Sequence, residues 1–284
     1  MIRINPSPKL ALKHAKAVSS RIRKSYNEGE ILELIQPLGA KSIEDFITAD
    51  ITRLWSWVHE CSDKLHFKQF KEIYDRYFSN GANKFVDGNY NAYSFLENLE
   101  IKVCPYCDDE YLDTFKICEK QRRTSEVDHF FPKSKYPALA MCFYNLIPSG
   151  QNCNGLKLEQ ELGMSPYESQ IEDMTYLYPD PDLPVGILLE TIPPNDCKVS
   201  FHPQNGMTKN VEILGLEQRY ERHAPEVHRI LSNLQIYSTE KIQELVSQGY
   251  GTRNEIISSI FGPQDPAEKK STLRQKMLRD LTGY

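Results

Sequence analysis

The sequence predicts a mainly helical α+β protein with one small strand–loop–strand–helix unit near its middle. Apolar residues recur at helical spacing in the first third of the chain and again after residue 216. Short segments with strand-like patterns lie between residues 99 and 150. At 284 residues, 40% of them apolar and 26% charged, the chain can bury a substantial core and has an ordinary globular composition.

The N-terminal third is expected to form a helical subdomain over residues 1–95. Ser42 can accept a hydrogen bond from a free backbone N–H, so we expect a helix to begin there. Two helical stripes of apolar residues follow, and the second stops at Ser79-Asn80-Gly81. The stripes consist of Ile43, Phe46, Ile47, Ile51, Leu54, Trp55 and Val58, then Leu65, Phe70, Ile73, Tyr74 and Tyr77.

Residues 96–170 are expected to form the strand–loop–strand–helix unit. The pattern predicts strands at 99–103, 124–130 and 144–147, with a polar loop after the first. A short helix should begin near Asn154 and end at Gly163. Cys104-Pro105-Tyr106-Cys107 follows the first strand directly.

Residues 171–284 are expected to form an acidic, proline-rich segment followed by a helical C-terminal subdomain. Strands are predicted at 186–192 and 197–201, and helices at 216–236 and 239–246. A basic tail contains Lys269, Lys270, Arg274, Lys276 and Arg279.

The net charge of −5 is unevenly distributed along the chain. Residues 158–197 contain nine acids and no Lys or Arg, so the rest of the chain is net positive. A local basic surface therefore remains possible, and we expect the acidic stretch to lie off any nucleic-acid path because it would repel phosphate.

Targeting and redox signals favour the cytoplasm. The chain lacks an apolar run of the roughly 20 residues that a membrane span needs. The basic first 27 residues only faintly resemble a transit peptide. Seven scattered cysteines favour free thiols with metal or redox chemistry over a secreted disulfide framework.

Several residues between positions 128 and 157 suit phosphodiester chemistry. Asp128 and an oxygen of Asn154 would suit Mg²⁺, which prefers hard oxygen ligands. His129 has an ordinary pKa near ~6.5 and can take a proton from water at neutral pH. Three lysines bracket these residues and could hold phosphate: Lys133, Lys135 and Lys157.

The ordered set Cys-x-x-Cys, Asp-His-x-x-Pro-x-Ser, Asn-Leu and Cys-Asn-x-x-Lys resembles the HNH nuclease superfamily, over about residues 100–168. The resemblance implies a ββα-metal core that holds one divalent ion, Mg²⁺ or Mn²⁺. By position, His129 would be the general base, and Asn145 would hold the loop that carries it. Asp128 and Asn154 would bind the metal, and Lys157 would join the catalytic set.

The longer segments Asp-His-Phe-x-Pro-Lys-Ser-Lys-Tyr-Pro and Tyr-Asn-Leu-Ile-Pro-Ser are similar to bacterial HNH proteins of Septu-type and retron-type anti-phage defence. This similarity implies a nucleic-acid substrate, with DNA favoured over RNA, and an ATPase partner protein. The implied reaction is a one-metal hydrolysis that leaves 5′-phosphate and 3′-hydroxyl ends.

Two other functions remain open from the sequence. The chain could be a catalytically inactive HNH-fold binding module. Alternatively, Cys104 and Cys107 could form a glutaredoxin-like thiol site, since Cys-Pro-Tyr-Cys also occurs there. Against that, Asp108-Asp109-Glu110 would raise a thiol pKa, and Thr191-Ile192-Pro193 lies far downstream.

A structural zinc is uncertain. Many HNH relatives have two Cys-x-x-Cys pairs, and here Cys104, Cys107 and Cys153 supply three thiols while Gly150 stands in the fourth position. A closed zinc site normally has four ligands. Cys118 or Cys142 could complete it, but the sequence slightly favours loss of the metal and substoichiometric zinc.

Overall fold

The fold is taken from a computed structural model, which describes residues 1–79, 90–118, 120–264 and 271–284. The predicted stop at Asn80-Gly81 and two lysines of the predicted tail, Lys269 and Lys270, lie outside these residues. The expectation of a mainly helical α+β protein is confirmed.

In the described residues, the strands lie in the middle of the chain, between an N-terminal and a C-terminal group of helices. The helices are α1 (Pro8–Ser25), α2 (Glu28–Ile35), α3 (Ile43–Ile47), α4 (Ile51–Glu60), α5 (Gln69–Ile73), α6 (Ala92–Leu99), α7 (Gln151–Lys157), α8 (Leu183–Leu188), α9 (Met207–Ile213), α10 (Leu216–Tyr220), α11 (Ala224–Ile236), α12 (Thr239–Ser247), α13 (Arg253–Phe261) and α14 (Gln275–Thr282). The strands are β1 (Thr114–Ile117), β2 (Lys120–Arg123), β3 (Ser125–His129), β4 (Leu146–Gly150), β5 (Thr175–Pro179) and β6 (Val199–Pro203). They pair antiparallel in sequence order, as three two-stranded sheets.

The first predicted helix begins where expected but is split in two. The Ser42 side chain accepts a hydrogen bond from the backbone N–H of Asp45 and starts α3. The Asp50 side chain accepts a hydrogen bond from the backbone N–H of Arg53 and starts α4. A second N-cap inside the apolar stripe therefore interrupts the helix. The residues of this stripe are buried except Trp55, which is half-buried. After α5, the chain continues as a π-helical segment, Tyr74–Phe78.

Two strand predictions are wrong. Leu99 ends α6, whose start is fixed by reciprocal hydrogen bonds between Asn91 and Ser94, and Val103 forms only an isolated bridge to Tyr111. Residues 186–192 do not form a strand either. Residues 186–188 are the end of α8, which begins at Leu183 with a proline in its first turn. The loop predicted after Cys107 contains the β1–β2 hairpin.

The ββα unit itself is present and slightly displaced. Strand β3 pairs with β4 from Ser125 opposite Gly150 to His129 opposite Leu146. Helix α7 follows β4 directly, so it begins three residues before the expected Asn154. It ends at Lys157, because Leu158 takes a positive φ of 46°.

Two hydrophobic cores organise the described residues. The first joins the N-terminal helices to the ββα unit, with Phe46, Phe70 and Phe95 in the same cluster as Phe130 and Phe131. The second joins β5 and β6 to α8 and the helices after α10. The division at residues 95 and 170 stays a prediction. Within the described residues, every helix is too short or too polar to span a membrane.

Candidate functional site

His129 stands at the end of β3 with its ring buried and held in one orientation. Its Nε2 lies 3.0 Å from the carbonyl oxygen of Ala140, and its ring is 4.4 Å from that of Tyr74, edge to face. A carbonyl only accepts, so Nε2 carries the proton and Nδ1 has the free lone pair. Burial, and then the charge of Lys133, lower the pKa of His129 to about 3. The imidazole is therefore neutral at physiological pH.

Asn145 holds the loop between β3 and β4 at two places. Its Oδ1 accepts from the Phe131 N–H at 2.7 Å, and its Nδ2 donates to the carbonyls of Phe131 (3.2 Å) and Leu139 (3.0 Å). The side chain is fully buried. Leu139 precedes Ala140, so these bonds also fix the carbonyl that orients His129.

Asp128 is buried next to His129, and both of its oxygens are engaged. Oδ2 accepts from the Tyr106 hydroxyl at 2.7 Å, and Oδ1 lies 3.1 Å from the Lys157 ammonium. Lys157 is fully buried and also donates to the backbone carbonyl of His129 at 2.7 Å. It therefore bridges α7 and β3 instead of facing a substrate phosphate. Sequence analysis missed Tyr106, whose only signal was its place between two cysteines.

The predicted metal ligands lie on neighbouring elements. Asn154 is half-buried and three residues before Lys157 on α7, which places both on the helix face that meets Asp128. Each Asp128 oxygen accepts one hydrogen bond and retains a second lone pair. This carboxylate and amide set suits a hard divalent ion, and the Lys157 ammonium is the cation with which it would compete.

The two predicted phosphate contacts are paired with carboxylates. Lys133 contacts Asp75 at 2.6 Å and lies 4.3 Å from the centre of the Tyr74 ring, beside His129. Lys135 contacts Glu161 at 3.1 Å. Both pairs are partly exposed, where an ion pair contributes only about 0–1 kcal/mol, so neither lysine is held strongly by its carboxylate. Glu161 belongs to the acidic stretch, which thus begins close to one predicted phosphate contact.

The three thiols that the sequence offers as zinc ligands lie close together. The sulfurs of Cys104, Cys107 and Cys153 all lie within 4.8 Å of one another and are buried. Cys142 instead contacts the Phe46 carbonyl, and Cys118 is exposed, so neither completes the cluster.

The environment of Cys104 argues against the glutaredoxin alternative. Burial raises the pKa of this thiol, and the residues after it form a turn instead of the helix N-terminus that activates such cysteines. These features differ from those of an activated thiol.

The acids after Cys107 are tied to the C-terminal helices. Asp109 contacts Arg222, His223 and Arg274, and although burial opposes ionisation these bonds lower the pKa of Asp109 to about 2. Asp108 accepts from the backbone N–H of Lys276 at 2.7 Å.

The described part of the predicted basic tail is also engaged. Lys276 and Arg279 are paired with Asp280 and Glu172, and Arg274 also contacts Glu226. These residues hold the C-terminal helices against the rest of the chain.

Comparison with known proteins finds a partial relative. The chain is 34% identical over 62 residues to the Septu protein PtuB of Bacillus thuringiensis, a match that covers 22% of this chain. The match spans about a fifth of the relative's own length, 21%. No family model matches the chain, and no solved structure matches it. The chain is therefore similar, over part of its length, to a Septu protein.

Proposed function

We propose that this protein is a metal-dependent HNH endonuclease that hydrolyses phosphodiester bonds. One observation carries the proposal: the β3–β4 pair and α7 bring together Asp128, His129, Asn145 and Lys157, with Asn154 on the same helix face. These residues are spread over 30 positions of the chain, and their convergence in one ββα unit supports the proposal. An Asp-His pair without this arrangement would carry little information.

His129 is suited to remove a proton from water. Its ring is neutral, its Nδ1 lone pair is free to accept, and the Ala140 carbonyl keeps it in that tautomer. Asn145 maintains this geometry through the loop. A divalent ion held by Asp128 and Asn154 would supply the charge that stabilises the scissile phosphate.

Access to His129 depends on the π-helical segment. The Tyr74 ring covers the imidazole, and Lys133 lies against that ring while paired with Asp75. A substrate phosphate that takes Lys133 from Asp75 would loosen this cover. Water would then reach Nδ1 only when substrate is bound, which limits unproductive exposure of the base.

The biological setting proposed here rests on the partial match to a Septu protein. We infer that the protein acts in anti-phage defence, with an ATPase partner and with DNA favoured over RNA as substrate. A second candidate function is a catalytically inactive HNH-fold module that binds nucleic acid. The buried ring of His129 and the closed Lys157–Asp128 pair favour this alternative, and cleavage assays distinguish the two.

The test is cleavage of supercoiled plasmid and of total RNA with Mg²⁺, Mn²⁺ or EDTA, with and without any ATPase encoded beside the gene. Asp128→Asn should abolish cleavage, and the exposed Asp63→Asn serves as the matched control. Products should be religated by a ligase that requires 5′-phosphate and 3′-hydroxyl ends. Binding without cleavage under every condition would favour the inactive module.

A further inference from the structure

The β1–β2 hairpin has two unlike faces. Its register sets Phe115 opposite Arg122 and Lys116 opposite Gln121, so these two neighbouring pairs point to opposite faces. The Gln121 side chain lies 3.5 Å from that of Glu97 on α6. The face of Lys116 and Gln121 is therefore the inner face, turned towards α6, and the face of Phe115 and Arg122 is the outer face.

Contacts on the inner side fix the hairpin to the helical part of the protein. Arg123, two residues after Gln121, lies 5.1 Å from the centre of the Tyr93 ring and donates to the Ser79 carbonyl at 3.2 Å. The Tyr93 hydroxyl donates to the backbone carbonyl of Gln121 at 3.3 Å. A two-stranded hairpin is marginally stable by itself, so these contacts keep it in one orientation.

The outer face combines exposed apolar side chains with an unpaired cation. Phe115 and Ile117 lie two residues apart on β1, and they are 42% and 55% exposed. Arg122 is exposed and forms no ion pair or hydrogen bond with any residue that the structure describes. Since Phe115 and Arg122 are a cross-strand pair, their Cβ atoms lie about 5 Å apart, and one ligand can meet both side chains.

The charge of the hairpin indicates that this ligand is an anion. Residues 114–123 contain two lysines, two arginines and a single acid, whereas the whole chain has a net charge of −5. Each nucleotide of a nucleic acid offers a phosphate and a flat base, which match a guanidinium beside an aromatic ring. A nucleic-acid strand therefore fits the outer face better than an apolar surface of a protein does.

The aromatic ring also selects the form of the nucleic acid. In an intact duplex a side chain reaches phosphates and the edges of the bases in the grooves. The flat face of a base becomes available to an aromatic side chain where the base is unpaired and unstacked. Single-stranded or locally unpaired segments should therefore bind the outer face more tightly than a continuous duplex.

The hairpin is joined to the candidate active site by a single residue. Thr124 alone separates β2 from β3, and β3 ends at His129. The seven residues from Arg122 to His129 span at most about 25 Å. A strand of several nucleotides on the outer face therefore lies within reach of the site.

We propose that the outer face of the β1–β2 hairpin binds an unpaired stretch of the nucleic-acid substrate, with Phe115 stacked on a base and Arg122 paired with a phosphate. Ile117 adds an apolar contact beside the stacked base. The inference rests on the proposed function, because it names the form of substrate that the same site would take. It assigns binding alone, and neither Phe115 nor Arg122 takes part in the chemical step.

Equilibrium binding in EDTA tests the assignment without any cleavage. The full-length protein is titrated into a labelled DNA single strand and into the matching duplex at several salt concentrations. Wild type should bind the single strand more tightly. Phe115→Ala should weaken this binding about 5- to 150-fold, which corresponds to the loss of one stacked base. Arg122→Gln should lower the slope of log affinity against log salt by about 0.7, because one phosphate contact is lost.

Matched variants in the C-terminal third of the chain are the controls. Tyr250→Ala and Arg229→Gln remove an exposed aromatic ring and an exposed guanidinium, and both should bind as wild type does. Phe115→Trp should retain tight binding, and the single strand should quench its added fluorescence, which a merely structural role would not produce. Urea unfolding should give equal stability for all these variants, since the replaced side chains are at least partly exposed.

Equal affinity for the single strand in wild type, folded Phe115→Ala and folded Arg122→Gln would overturn the assignment. So would a wild type that binds the duplex as tightly as the single strand, or binds neither. If Phe115→Ala binds DNA normally but no longer associates with an ATPase encoded beside the gene, the outer face is a protein contact and the inference is wrong. The expected binding pattern without any cleavage would support the inference and contradict only the nuclease proposal.

Discussion

Replacing Lys157 by Met removes the buried cation that pairs with Asp128. Methionine has a similar length and no charge, so α7 can keep its packing against β3. Asp128 would retain the hydrogen bond from Tyr106 but lose its 3.1 Å ion pair, and the His129 carbonyl would lose a 2.7 Å donor. A carboxylate would then be buried without a compensating charge.

The expected loss of unfolding free energy is about 3–5 kcal/mol, because one member of a buried ion pair is left alone. That is a large part of the 5–15 kcal/mol that typically stabilises a domain. Asp128→Asn should cost a comparable amount, since it leaves the ammonium unpaired. The double variant should cost less than the sum by about 1–3 kcal/mol.

Urea unfolding followed by tryptophan fluorescence measures these values. Both tryptophans of the chain, Trp55 and Trp57, lie in the first core, and the Trp55 ring is 4.8 Å from that of Phe131. The partly exposed Lys135→Met is the matched control and should change stability by less than about 1 kcal/mol.

Manganese at millimolar concentration should restore part of the stability of Lys157→Met, because the ion replaces the missing charge. It should restore none in Asp128→Asn. Strict additivity in the cycle, or a Lys157→Met protein as stable as wild type, would refute the buried pair as the element that joins α7 to β3.

Three further outcomes are expected. His14 and His129 are buried, and their pKa values are lowered to about 4 and about 3, so the unfolded chain binds protons at a higher pH than the folded one. The stability present above pH about 6.5 should therefore be lost as the pH falls, by on the order of 1 kcal/mol per histidine and pH unit. Urea unfolding at several pH values should show a smaller loss in His14→Gln and an unchanged loss in the exposed control His66→Gln. Asn145→Ala removes three hydrogen bonds and should cost about 3 kcal/mol in the same assay and lower cleavage. Asn154→Ala should raise the Mg²⁺ concentration for half-maximal cleavage at least about tenfold, whereas exposed Asn152→Ala should not.

The sequence predicted the ββα unit because its determinants are local. The β3 strand and its Asp-His end can be recognised within nine residues, and Ser42 begins α3 through a bond to its own neighbour Asp45. The alternation at 99–103 misled because five residues do not distinguish a strand from the end of a helix, and the capping of Asn91 with Ser94 decided for α6.

The remaining features of the site depend on contacts between distant residues. Lys157 was expected to meet phosphate, and only the packing of α7 on β3 shows that it pairs with Asp128. In the sequence, Glu110 is only a negative charge near Cys107, and only the fold shows that its carboxylate lies against Gly150. Such pairings follow from the tertiary fold, which short-range patterns in a single sequence do not encode.

The central claim, that His129 is the base of a metal-dependent nuclease, is tested by one comparison of cleavage rates. Wild type, His129→Ala and the exposed control His66→Ala are incubated with plasmid DNA and Mn²⁺, and fluorescence confirms that each is folded. Cleavage by wild type and the control, with at least about a 100-fold loss in His129→Ala, is the expected result. Near-normal cleavage by folded His129→Ala, or no metal-dependent cleavage by wild type in the presence of the proposed ATPase partner, would contradict it.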